Sequence, residues 1–125
     1  MKNTSFLQSF RHALEGIKEL IQSERNMRIH IAMTVLVILC SVIFGLTAAE
    51  KAVVIALCAI VISAELINTA IENAVNLSTA VFNMYARRAK DAAAGAVLVI
   101  SIGAAVCGLI IFVPYGLELL NKIFG

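Results

Sequence analysis

From about residue 29 onward the chain reads as three long apolar stretches separated by short polar ones. They run over residues 29–49, 52–75 and 92–113. Each is near the ~20 residues that a helix needs to cross ~30 Å of hydrocarbon. Residues 4–23 follow a different rhythm. Phe6, Phe10, Ala13, Leu14, Ile17, Leu20 and Ile21 recur at spacings of three and four, and Glu15, Lys18, Glu19 and Gln22 fall largely elsewhere. That periodicity predicts an amphipathic helix too polar to span. Basic residues along it suit the surface of a membrane; a solvated helix docked on a partner is the other arrangement the pattern allows. The expected fold is all-α: an integral membrane protein of three transmembrane helices plus an N-terminal surface helix, in one domain over residues 1–125.

Composition decides between membrane helices and a soluble core. Hydrophobic residues make up 61% of the 125 and charged residues 14%, against roughly half and a quarter in ordinary globular chains. Mean hydropathy is +0.94. A buried core of such segments would need a larger soluble protein around it. The first apolar run begins well behind Met1 and a charged leader, so no cleaved signal peptide is expected. Lys2, Arg11, Lys18, Arg25 and Arg28 precede the first stretch, and Arg87, Arg88 and Lys90 lie between the second and third. Lys51 and Lys122 alone fall on the other side. The excess predicts a cytoplasmic N-terminus in the bacterial inner (plasma) membrane. "LTAAEK" reads as a short outer turn, and Pro114 as the outer end of the last span. Cys40, Cys58 and Cys107 lie one per stretch without metal-ligand spacing and read as thiols packing like small apolar groups. Ala104 and Gly108 form a small-xxx-small pair that permits close helix contact, though small residues are common in membrane helices anyway.

Within the second stretch, "SAELINTAIEN" (residues 63–73) breaks the apolar run with two carboxylates and two asparagines. On a helix, Glu65, Asn68 and Glu72 stand at i, i+3 and i+7 and share one face, with Thr69 and Asn76 beside it. Glu65 and Glu72 are two turns apart, roughly 10 Å along the axis. Facing lipid, such a stripe would cost several kcal/mol, so it must face other helices or a wet cleft. An intramembrane carboxylate pair points to function by default, and a polar seam holding an oligomer together is the structural alternative.

Cations gather at the same end. Arg87, Arg88, Lys90 and Asp91 precede the third stretch; Glu24, Arg25 and Arg28 precede the first. The basic loop alone is ordinary positive-inside bias. Together with the carboxylates it has a chemical logic, because Mg²⁺ is usually held by one or two carboxylates plus substrate phosphates. Phosphoryl transfer needs a metal, cations and a base for the attacking hydroxyl. There is no G-x-x-x-x-G-K-[ST] loop, protein-kinase glycine loop, H-E-x-x-H, CxxC or nucleophile elbow.

"AELINTAIENAVN" followed by "RAKDAAAGAVL" resembles the motif of the prokaryotic diacylglycerol kinase family, which includes the undecaprenol kinases of Gram-positive bacteria. "SFRHALEGI" and "SERNMRIH" resemble the family's N-terminal blocks. The resemblance covers residues 5 to about 113. It implies a homotrimer with active sites at the cytoplasmic membrane interface, shared between neighbouring subunits. It implies ATP as co-substrate and Mg²⁺, a lipid alcohol substrate and no nucleic acid. Carried over residue by residue, Glu65 matches the catalytic base, and Glu24 and Glu72 the metal-binding glutamates that also meet the nucleotide. Lys90 and Asp91 match the pair near the nucleotide phosphates. Asn68 matches a supporting polar residue that orients the base or the phosphate.

Two departures stand out. The family motif usually continues Val-Asp where this chain has Val75-Asn76, and an acid-Tyr-His stretch usually follows where this chain reads "STAVFNM". Asn76 can still donate and accept hydrogen bonds in a supporting role, and no function is carried over to residues 78–84. "SERNMRIH" leans toward the undecaprenol-kinase branch, so the expected product is undecaprenyl phosphate, with phosphatidic acid from diacylglycerol as the other. The alternatives are a non-catalytic family member and a small oligomeric channel or transporter using the glutamates as an ion path.

Overall fold

The computed structural model describes residues 5–125; Lys2 and the first residue of the expected surface helix, Thr4, lie outside the described residues. Four helices follow one another: α1 (Phe6–Ser23), α2 (Arg25–Ile43), α3 (Ala48–Ser78) and α4 (Met84–Phe124). The all-helical expectation holds. α3 packs against both α2 and α4, and α1 lies against α2 and α3.

Three of the helices, α1, α3 and α4, begin at a side-chain cap. Ser5 and Gln8 form a capping box, Gln8 N–H donating to Ser5 Oγ at 3.4 Å and Ser5 N–H to Gln8 Oε1 at 3.2 Å. α1 stops at Glu24, whose extended backbone also starts α2. Arg28 then reaches back from α2. Its guanidinium donates to the carbonyls of Gln22 at 2.9 Å and Ile21 at 3.4 Å. Those carbonyls are among the last four of α1, which have no partner within their own helix. α1 is thus tied to α2 by one side chain at their corner.

The α2–α3 connection differs from expectation. The first apolar stretch reaches residue 49 in sequence, yet α2 ends at Ile43 and α3 begins at Ala48. Gly45 turns the chain at φ 67°. Thr47 and Glu50 form a second capping box, at 3.2 Å and 2.9 Å, so four of the six residues of "LTAAEK" belong to α3. At the other end of α3, Asn83 caps α4 by accepting from Tyr85 N–H at 2.8 Å and Ala86 N–H at 3.3 Å.

Pro114 does not end the last helix. α4 continues through it to Phe124, 41 residues in all and about 62 Å long at 1.5 Å per residue. Proline removes one backbone donor from a helix, but side-chain contacts flank it. Tyr115 Oη donates to the Glu50 carboxylate, Phe112 meets Phe44 edge-on, and Glu118 pairs with Lys122 at 2.9 Å one turn on.

Very little of the chain is interior. Among the described residues the buried apolar side chains are Met27, Leu46, Val54 and Ala93. In the most apolar 18-residue window of α4 nothing is buried. Leucines, isoleucines and valines along α2, α3 and α4 face outward instead. A surface of this kind is stable only in an apolar solvent. Three of the helices are long and apolar enough to cross a membrane, and the chain is a multi-pass membrane protein. On α1, Phe6, Phe10 and Leu14 stay uncovered.

A Cβ added at Gly45 would meet nothing within 4 Å, so the cost of a side chain there is the left-handed backbone alone. Gly45→Ala should destabilise the protein by about 1–2 kcal/mol, read as a lower unfolding midpoint in detergent with helix content unchanged.

Candidate active site

One face of α3 runs from buried to exposed. Glu65 is 3% exposed and Thr69 5%; Asn68 is half-buried, and Glu72 and Asn76 are exposed. The face read from the sequence is therefore turned inward at its deep end and opens toward Ser78. Val54 and Glu65 are buried on the same helix, so the carboxylate lies where apolar packing would be expected.

The inward turn of Glu65 is made possible by α2. His30 Nε2 stands 4.0 Å from Glu65 Oε2, with the two side chains 21% and 4% exposed. This approach crosses two helices and was not anticipated from the sequence; His30 shows there only as a polar residue at the start of an apolar stretch. His30 also lines an apolar cavity of about 460 Å³ between α2, α3 and α4, with Val54, Cys58, Ser101 and Gly108 on its other walls. Ala104, the partner of Gly108 in the small-residue pair, lines it too.

At the open end the structure brings three of the sequence-predicted residues together. Lys90 of α4 donates through Nζ to Asn76 Oδ1 at 3.0 Å and lies 3.6 Å from Glu72 Oε1. Asp91 pairs with Arg87, one turn back on α4, at 3.6 Å. Asn76, Arg87, Lys90 and Asp91 line a cleft of about 470 Å³, with residues 79–83 on another wall. So the "STAVFNM" stretch, left without a role in the sequence, supplies a wall of the cleft, including the exposed ring of Phe82.

Glu24 occupies the α1–α2 corner, half-buried. It starts α2 without a side-chain capping bond, which leaves its carboxylate free of structural duty there. Among the described residues no group of three or more His, Cys, Asp or Glu side chains could hold a metal ion. The two glutamates are hard oxygen donors of the kind Mg²⁺ takes when phosphates complete its shell.

A membrane protein with a buried carboxylate, and with a lysine and a second carboxylate at the open end of the same helix face, has the parts of a phosphotransferase that works on lipids. The comparisons give the class a family. Residues 11–112 match the family described as prokaryotic diacylglycerol kinase. An undecaprenol kinase of Bacillus subtilis (strain 168) is 41% identical over 109 residues, 87% of this chain and 89% of its own. A diacylglycerol kinase of Synechocystis sp. is 37% identical over 117 residues, 93% of this chain and 67% of its own. The chain belongs to the prokaryotic diacylglycerol kinase family and is a lipid kinase.

The bridge from Lys90 to α3 is partly solvated, the side chains of Lys90 and Glu72 being 37% and 49% exposed. Exposed ion pairs contribute little to stability. Lys90→Met should lower stability by no more than about 1 kcal/mol, visible as a nearly unchanged unfolding midpoint in detergent. A large loss of activity in that variant then reports chemistry rather than folding.

Proposed function

We propose that this chain, as a single membrane lipid-kinase domain, transfers the γ-phosphate of ATP to a lipid alcohol at the cytoplasmic membrane interface, with undecaprenol preferred over diacylglycerol. The observation that carries the proposal is one helix face of α3 holding a buried carboxylate at one end and a lysine-bridged carboxylate at the other. The lipid hydroxyl arrives sideways from the bilayer and ATP from the water. Only a face that runs from burial to exposure can serve both.

Glu65 is the base. It takes the proton of the lipid hydroxyl as that oxygen attacks the γ-phosphorus. The bond from the γ-phosphorus to the β–γ bridging oxygen breaks, ADP leaves, and the lipid carries the phosphate. Asn68, one turn along the same face, orients the base or the phosphate. Lys90, held by Asn76, offers a positive charge to the phosphates, and Asp91 lies beside the same cleft. Glu24 and Glu72 would hold Mg²⁺, which when bound neutralises charge on the β- and γ-phosphate oxygens.

The preference for undecaprenol is supported by the 41% identity to a protein of that name over most of both chains. Assembly as a homotrimer, with sites shared between subunits, is supported by the outward apolar faces of α2–α4, which are available to neighbouring subunits as well as to lipid. A cytoplasmic N-terminus in the bacterial plasma membrane is supported by the lysine and arginine distribution.

Removing the base separates chemistry from binding. Glu65→Gln keeps the shape of the side chain but cannot take a proton, and it should lower lipid phosphorylation by about 10²–10⁴-fold. ATP binding and helix content should stay as in the wild type. A Glu65→Gln protein that phosphorylates lipid at the wild-type rate would remove Glu65 from the mechanism.

A further inference from the structure

Beyond the residues that the motif supplies, one contact bears on the base itself. A carboxylate in an apolar interior is costly unless it is paired and hydrogen-bonded. Among the described residues the imidazole of His30 is the basic group within ion-pair reach of Glu65, at 4.0 Å. Lys90 is engaged with Glu72 and Asn76 at the open end, and Arg28 with the carbonyls that end α1. His30 is therefore the basic side chain that can set which way the Glu65 carboxyl group faces.

The surroundings of His30 restrict how it can do so. It is fixed on the first turns of α2, behind the corner that Arg28 ties, and it lines the apolar cavity against Val54, Cys58 and Ser101. The Nε2 edge of the ring faces α3. At 4.0 Å the approach is too long for a hydrogen bond. Catalytic hydrogen bonds are often long in the free enzyme and tighten when substrate is bound.

We propose that His30 is a positioning residue for Glu65. Its Nε2–H donates to Glu65 Oε2 in the substrate complex, which fixes the carboxylate plane and leaves Oε1 to receive the proton of the lipid hydroxyl. His30 itself neither gains nor loses a proton in the step. The inference rests on Glu65 being the base. It extends to this chain the logic by which a catalytic base is itself oriented by a third group.

The test uses full-length protein in mixed micelles with ATP, Mg²⁺ and undecaprenol, comparing His30→Leu, His30→Gln and Glu65→Gln with the wild type. His30→Leu removes the donor; glutamine can present an amide N–H close to the place of Nε2. The expected result is a fall in kcat of about 10²-fold for His30→Leu, the scale of a misplaced reacting group. KM for ATP and KM for lipid should be unchanged, and His30→Gln should recover most of kcat. A merely structural histidine would not show that split or that rescue. Wild-type kcat in His30→Leu, with Glu65→Gln inactive, would overturn the role of His30 and leave the base in place. A His30→Gln protein that folds, binds ATP and is as slow as His30→Leu would also overturn it, because a donor alone would then not suffice. An active Glu65→Gln protein would remove both assignments together.

Discussion

A single carboxylate at Glu65 costs several kcal/mol if it faces lipid, and much of the architecture follows from turning it inward. α3 must present one face to other helices along its length, and α2 must lie close enough to bring His30 to 4.0 Å. At this level α2, α3 and α4 enclose the apolar cavity that His30 lines, with Val54 and Cys58 of α3 and Ser101, Ala104 and Gly108 of α4 on its other walls. The rest of the chain has almost no interior, and its apolar surface is stable only because the surrounding solvent is apolar too.

The same constraint explains why the polar chemistry is graded rather than clustered. Moving from Glu65 toward Ser78, α3 passes from burial to exposure within two turns. Charged partners become affordable there, and α4 supplies Lys90 to both Glu72 and Asn76. The cap at Asn83 starts α4 early enough to place Lys90 two turns into a regular helix, opposite the end of α3. The corner at Glu24 brings a further carboxylate to the start of α2 without using it as a cap. A lipid kinase needs an apolar approach and an aqueous one to meet, and the proposed site at this helix end would join them.

Much of this was legible in the sequence. The three apolar stretches, the amphipathic leader and the shared face of Glu65, Asn68 and Glu72 follow from periodicity alone, because they are properties of single helices. The motif around that face carried the family. Helix ends were less legible. Thr47-x-x-Glu50 is a capping box in plain view, but inside an apolar run its first two helical positions, Ala48 and Ala49, look like the tail of the preceding stretch. Pro114 reads as the outer end of the last span, yet α4 continues through it, with Tyr115 and Phe112 beside it meeting Glu50 and Phe44. The approach of His30 to Glu65 and the role of residues 79–83 as a cleft wall depend on the register between helices, and no pattern along one helix encodes that.

The most direct measurement of the central claim is phosphate transfer itself. Purified protein in mixed micelles would be given ATP labelled at the γ-phosphate, with undecaprenol and diacylglycerol side by side, with Mg²⁺ and with a chelator. The account predicts labelled lipid that depends on Mg²⁺, formed faster from undecaprenol. A folded, helical protein that labels neither lipid would contradict it.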